Sequence, residues 1–194
     1  EDITTGHRRW TFVPGPIFAS IVLADEINRA SPKTQSALLE VMEEGFVTVD
    51  GQRHPVPTPF MVIATQNPIE LAGTYRLPEA QLDRFLMRTQ IGYPDKTNLI
   101  AILAGSAERD PVIRVQPVVD GQIVIQMAQL AAMAHVDQSV MGYIGDVAEA
   151  TRSHPHVRVG VSVRGALSLV RTAKTWAMAS GRPFVTIDDV KDMA

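Results

Sequence analysis

Asp25 and Glu26 stand side by side at the end of the apolar run Ile21-Val22-Leu23-Ala24. A continuous apolar run of this kind suits a strand buried on both faces, as in a parallel sheet covered by helices. The two carboxylates then fall at the strand's C-terminal end, where open α/β sheets bind ligands. An Asp in that position can hold Mg²⁺ on a nucleoside triphosphate, directly or through water. A Glu beside it can orient or deprotonate an attacking water. The plainer alternative is a strand that ends in a polar loop, and the stretch alone leaves both readings open.

Three residues further along the chain carry the same ambiguity. Asn67 closes a second apolar run, Phe60-Met61-Val62-Ile63-Ala64-Thr65, and precedes Pro68. If the two strands are parallel neighbours, Asn67 converges with Asp25 and Glu26 and can hold a γ-phosphate or the attacking water. A turn residue before proline is the ordinary role of such an Asn. Arg84 follows Asp83 in a short helix. A local ion pair there is worth only about 0.3–0.5 kcal/mol, whereas an arginine offered across a subunit interface to a phosphate is worth roughly 10³–10⁵ in rate. Arg164 comes second in a helix capped by Ser162. The positive dipole end disfavours a cation there by roughly 0.3–1 kcal/mol, and a nearby phosphate would account for it. A freely solvated arginine explains it equally well.

Other chemistries find little support. The five histidines show no ligand spacing, and His154 and His156 merely flank a proline. No Gly-x-Ser-x-Gly nucleophile motif occurs. A phosphate-cradling Gly-x-x-x-x-Gly-Lys-Ser/Thr loop is also missing from the 194 residues, so the carboxylate pair lacks a partner for the triphosphate.

The elements that must position these residues can be read in order. Trp10, Phe12 and Val13 suggest a short strand, broken by Pro14-Gly15-Pro16. Ser31 caps a helix that opens on Pro32, buries Ala37, Leu38, Val41 and Met42, and stops at Gly45. Asp50-Gly51 joins two arms, 46–49 and 53–56, in a hairpin, because both turn residues tolerate positive φ. Pro55 and Pro57 keep its second arm out of a sheet centre. Residues 71–76 read as loop, 78–85 as a short helix, and 86–92 as a third strand. Tyr93-Pro94-Asp95 marks a domain boundary, giving domains 1–93 and 94–194. Beyond it the pattern is helical over 96–104, 122–134, 138–153 and 162–180, with 111–117 as loop. Thr186 caps the last helix, with Asp189 three residues on as a capping-box partner.

Composition sets the outer limits. A 45% hydrophobic, 20% charged chain is globular rather than disordered. The absence of cysteine removes disulfides, thiolate metal sites and cysteine nucleophiles. A net charge of −3 offers no positive case for nucleic acid. No apolar run approaches the ~18 residues of a membrane span, and the expectation is a cytoplasmic protein without a membrane segment.

Several long strings together resemble the MoxR family of AAA+ ATPases. They are Gly15-Pro16-Ile17-Phe18, the stretch from Leu23-Ala24-Asp25-Glu26-Ile27-Asn28-Arg29-Ala30 through residues 33–44, Val62-Ile63-Ala64-Thr65-Gln66-Asn67-Pro68, residues 77–85, and Gly92-Tyr93-Pro94. The likeness weakens over 105–157 and returns at Ser162-Val163-Arg164-Gly165-Ala166 and Thr186-Ile187-Asp188-Asp189-Val190. Val163 stands where the family usually has proline. The resemblance implies an α/β fold: part of a doubly wound parallel sheet of P-loop type, followed by an all-α lid. It implies Asp25 and Glu26 as the Walker B pair for Mg²⁺ and water, Asn67 as sensor 1, Arg84 as an arginine finger serving a neighbour's ATP, and Arg164 as the lid's sensor 2. The Asp50-Gly51 hairpin then corresponds to the pre-sensor insertion, and residues 2–16 to the end of a helix-2 insertion.

The function expected from this resemblance is an ATP-hydrolysing, chaperone-like motor. It would remodel or mature protein complexes, often with metal or cofactor insertion. It would use ATP and Mg²⁺ and assemble into a ring, a hexamer. Its partner would be a client protein or metal-cofactor enzyme, or a von Willebrand A-domain protein. The P-loop is expected upstream of Glu1, which would leave these residues inactive alone and their apolar sheet surface exposed. Competing expectations are a magnesium-chelatase-type ATPase subunit, a DNA-dependent AAA+ ATPase reading DNA with Arg53 and His54 of the hairpin, and a non-catalytic interaction module.

Overall fold

The structure, a computed structural model, describes residues 11–67, 75, 77–105 and 115–194. The chain divides into two compact units, Glu1–Arg84 and Phe85–Ala194. The division falls upstream of the Tyr93-Pro94 punctuation.

The first unit is built on two parallel strands, β1 (Ile21–Ala24) and β4 (Met61–Ala64), paired in register from Ile21↔Met61 to Ala24↔Ala64. Between them the chain makes helix α1 (Pro32–Glu44) and an antiparallel hairpin, β2 (Phe46–Val49) with β3 (Gln52–Pro55). Helix α1 starts where the sequence dictates. Ser31 Oγ accepts the Thr34 N–H, and Pro32 occupies the first turn, where its missing N–H costs nothing. It ends at Gly45, whose φ of 73° is open to glycine without a Cβ penalty. The hairpin turns on Asp50 (φ 49°) and Gly51 (φ 77°), as their pairing requires.

Three local expectations are corrected. The buried face of α1 is Gln35, Leu39 and Val41, flanked by half-buried Leu38 and Met42, and Ala37 is exposed. The buried set therefore centres on Leu39 instead of Leu38. The β1 run is not buried on both faces within this chain. Ile21, Leu23, Met61 and Ile63 line up on one exposed side of the strand pair, because alternate residues of paired strands share a face. Phe12 and Val13 form no strand, although the Phe12 ring stacks on His54 of β3 at 3.8 Å. Trp10 lies outside the described residues, as does most of the expected 71–76 loop.

Helix α2 (Glu79–Leu82) is a single turn that closes the first unit. The third strand expected at 86–92 is absent, and these residues are irregular, with Ile91 98% exposed. Apolar content alone does not make a strand: the ladder needs a neighbouring edge, and none pairs here among the described residues.

The second unit is helical: α3 (Lys96–Gly105), α4 (Gly121–Ala132), α5 (Gln138–Ser153), α6 (Val163–Ala179) and α7 (Ile187–Met193). Its core joins Val140 and Ile144 of α5, Ala173 and Ala177 of α6, Val185, and Val190 of α7. Side chains cap α4, α5, α6 and α7. Asp120 accepts the Ile123 N–H, Asp137 the Ser139 N–H and Ser162 the Gly165 N–H. Thr186 and Asp189 complete the capping box on α7. The Asp189 side chain also takes a bidentate ion pair from Arg182, with Nη1 2.7 Å from Oδ2 and Nη2 2.5 Å from Oδ1. Arg182, foremost through these hydrogen bonds, holds the Asp189 carboxyl far below the usual carboxylate range against the opposing effect of burial.

Candidate functional site

The parallel pairing brings the ends of β1 and β4 to the same level. Asp25 and Glu26 leave β1 just as Thr65 leaves β4. The Thr65 N–H donates to the Ala24 carbonyl at 3.1 Å, and the Thr65 carbonyl accepts the Ile27 N–H at 3.0 Å. The Thr65 hydroxyl sits between the two acids. It donates to Asp25 Oδ1 at 2.5 Å and accepts the Glu26 N–H at 2.8 Å. Glu26 itself is in the left-handed region (φ 50°, ψ 48°), which costs a non-glycine residue roughly 1–2 kcal/mol. Its side chain is held by Arg29, whose Nη1 donates to Oε2 at 2.8 Å.

Behind this turn, Gln35 acts as a brace. It is 2% exposed, and its Nε2 lies 3.1, 3.2 and 2.9 Å from the carbonyls of Ile27, Ala30 and Tyr75. One buried amide thus ties the chain after Glu26 to α1, replacing the water those carbonyls lose. Asn28 is also buried, and its backbone carbonyl accepts the Tyr75 N–H at 2.7 Å.

Asn67 lies two residues beyond Thr65 on the exit from β4 and is half-buried. Arg84 ends the first unit and reaches α1: its Nη1 lies 2.9 Å from Glu43 Oε2 and 3.4 Å from the Leu39 carbonyl. Arg164 belongs to the second unit, exposed in the first turn of α6. The structure therefore joins Asp25 and Glu26 directly, puts Asn67 on the adjoining strand exit, and anchors Arg84 to α1.

The donor set suits a hard cation. Mg²⁺ is commonly held by one or two carboxylates, with phosphate oxygens and water completing the shell. Asp25 and Glu26 present such a pair at an exposed strand end. Among the described residues no cluster of three or more His, Cys, Asp or Glu could form a self-sufficient metal cage.

Sequence reasoning passed over Thr65, Arg29 and Gln35. Thr65 reads as a β-branched strand residue, and its contact with Asp25 depends on the register of β1 against β4. Gln35 left a fainter signal, a polar residue on the same helical face as Leu38, Leu39 and Met42.

Residues 2–87 match the model of the ATPase family associated with various cellular activities (AAA), and residues 149–194 match the model of the AAA lid domain. Both parts of that architecture are represented, the α/β core and the helical lid. Chaperone MoxR1 of Mycobacterium tuberculosis is 38% identical over 185 residues, 91% of this chain and 48% of that protein. The Bacillus subtilis protein YeaC is 46% identical over 181 residues, 93% of this chain and 57% of YeaC. The crystal structure of a candidate ATPase from Cytophaga hutchinsonii superposes with a TM-score of 0.83 at 36% identity, covering 92% of this chain and 57% of that one. The chain belongs to the AAA+ ATPases, on the MoxR branch of the family. It spans about half the length of the curated relatives it matches.

Proposed function

We propose that these residues supply the hydrolytic and inter-subunit parts of an ATP-driven AAA+ motor that remodels or matures protein complexes. The observation that carries this reading is the carboxylate pair at the β1 terminus, tied through Thr65 to the strand that leads to Asn67. Asp25 would bind Mg²⁺ on the triphosphate, with Glu26 as a second oxygen ligand or as the group nearest the water. When bound, Mg²⁺ would neutralise charge on the phosphate oxygens. The Glu26 carboxylate orients the attacking water and accepts its proton. Asn67 donates a hydrogen bond to the γ-phosphate or that water. Arg84 reaches the ATP of an adjoining subunit in a hexameric ring, and Arg164 brings the helical lid to the phosphates.

The name of MoxR1 as a chaperone supports a client-directed role over a DNA-directed one. The hairpin offers Arg53 and His54 against a net charge of −3, and the Arg53 guanidinium already lies 4.5 Å over the Phe46 ring. The client proposed is a protein complex in maturation, with a metal-cofactor enzyme or a von Willebrand A-domain protein as its form, in the cytoplasm. The test is Glu26→Gln in the intact protein that carries this chain. ATP binding should persist while turnover falls by roughly 10²-fold or more. Unchanged turnover would remove Glu26 from the mechanism and, with it, the reading of this strand end as a hydrolytic site.

A further inference from the structure

We propose that Thr65 is a positioning residue that sets the geometry of the Asp25–Glu26 pair. This rests on the hydrolytic reading above and assigns a task to a side chain which that reading does not require. Backbone bonds already fasten the Thr65 position to the opposite strand: its N–H to Ala24 and its carbonyl to Ile27. Strand pairing therefore does not need the hydroxyl. Both hydrogen bonds of the hydroxyl go to the two acidic residues and to nothing that holds the sheet. The donated proton occupies Asp25 Oδ1, which fixes the carboxylate's rotation and directs the rest of its acceptor capacity elsewhere. The oxygen lone pair holds the Glu26 N–H, which helps keep that residue at φ 50° despite its cost. That unusual backbone conformation decides where the Glu26 side chain emerges. One hydroxyl thus couples the position of a metal-ligand candidate to that of the water-directing candidate. Groups that orient a ligating carboxylate commonly matter nearly as much as the ligand.

Thr65→Val removes the hydroxyl and keeps the shape and β-branching; Thr65→Ser keeps the hydroxyl and loses a methyl. Both are to be made in the intact protein, beside Glu26→Gln. The first readout is Mn²⁺ affinity, with Mn²⁺ standing in for Mg²⁺, measured by electron paramagnetic resonance with a non-hydrolysable ATP analogue. The second is turnover against Mg²⁺ concentration. Thr65→Val should weaken Mn²⁺ binding and lower turnover by roughly 10-fold or more, and Thr65→Ser should restore most of both. The thermal midpoint should stay near that of the parent in both variants. Should Thr65→Val fail to fold, Thr65→Ala against Thr65→Ser makes the same comparison. Parental Mn²⁺ affinity and turnover in Thr65→Val, with Glu26→Gln inactive, would overturn the positioning role alone. Equal losses in the Val and Ser variants would overturn it too, because the hydroxyl would then not be the active feature. A fully active Glu26→Gln would bring down the hydrolytic reading and the positioning role together.

Discussion

Arg84 has an observed contact with α1 and a proposed one with a neighbour's ATP, and the two can be told apart. Its guanidinium clamps the C-terminal half of α1 through Glu43 and the Leu39 carbonyl, a contact between partly exposed groups worth at most about 1 kcal/mol. An arginine that also meets a neighbour's phosphate is worth far more, in rate. The two contributions separate by mutation. Arg84→Ala should lower ATP turnover by roughly 10³-fold. Glu43→Gln, which loses the clamp and keeps the arginine, should leave turnover within a few-fold of the parent. Equal losses in a steady-state assay would reduce Arg84 to a structural clamp. At this scale the sequence carried the residue types but not their partners. Asp25, Glu26 and Asn67 stood out because each ended an apolar run. The Thr65 hydroxyl, the Arg29 pairing and the left-handed Glu26 depend on strand register and backbone torsion, and neither leaves a pattern in one chain.

Among the elements, those with strong local chemistry were legible. Ser31-Pro32 and Gly45 bounded α1, Asp50-Gly51 turned the hairpin, and Thr186 with Asp189 started α7. Residues 86–92 misled because strand formation is a property of pairs. The α7 start also carries a pH dependence. Arg182 holds the Asp189 carboxyl far below its ordinary value of 3.8, so the folded lid binds that proton more weakly than the unfolded chain does. The stabilisation is complete above the ordinary value and is lost as pH falls through it toward the depressed folded one. The lid's unfolding midpoint should therefore drop below about pH 4. Asp189→Asn should flatten that acid limb. At neutral pH it should cost between the ~1 kcal/mol of an exposed pair and the ~3–5 kcal/mol of a broken buried one, since Asp189 is 1% exposed and Arg182 about a third. An unchanged acid limb in Asp189→Asn, by circular dichroism melts at stepped pH, would assign the dependence to other groups.

At the level of the whole molecule, an α/β portion followed by a helical one was evident from hydrophobic periodicity, and the likeness to MoxR proteins supplied the family. The open apolar side of the strand pair was expected from the family resemblance and not from the run itself, since Ile21-Val22-Leu23-Ala24 reads the same whether one face is covered or two. The pairing of β1 with β4 has a kinetic consequence as well. Asp25 and Thr65 are 40 residues apart, and everything between them, helix and hairpin, can form from short-range contacts. Closing that long loop must follow or accompany those local events, because its entropy is recovered only when the strands dock. In stopped-flow refolding of the intact protein, Val62→Ala should mainly speed unfolding, whereas Gly51→Ala in the hairpin turn should slow folding. The opposite pattern would put strand docking first. If the helix and hairpin form first, the acids and the hydroxyl between them are a late product of folding, and a molecule that stalls before the strands meet holds every residue of the site without the site.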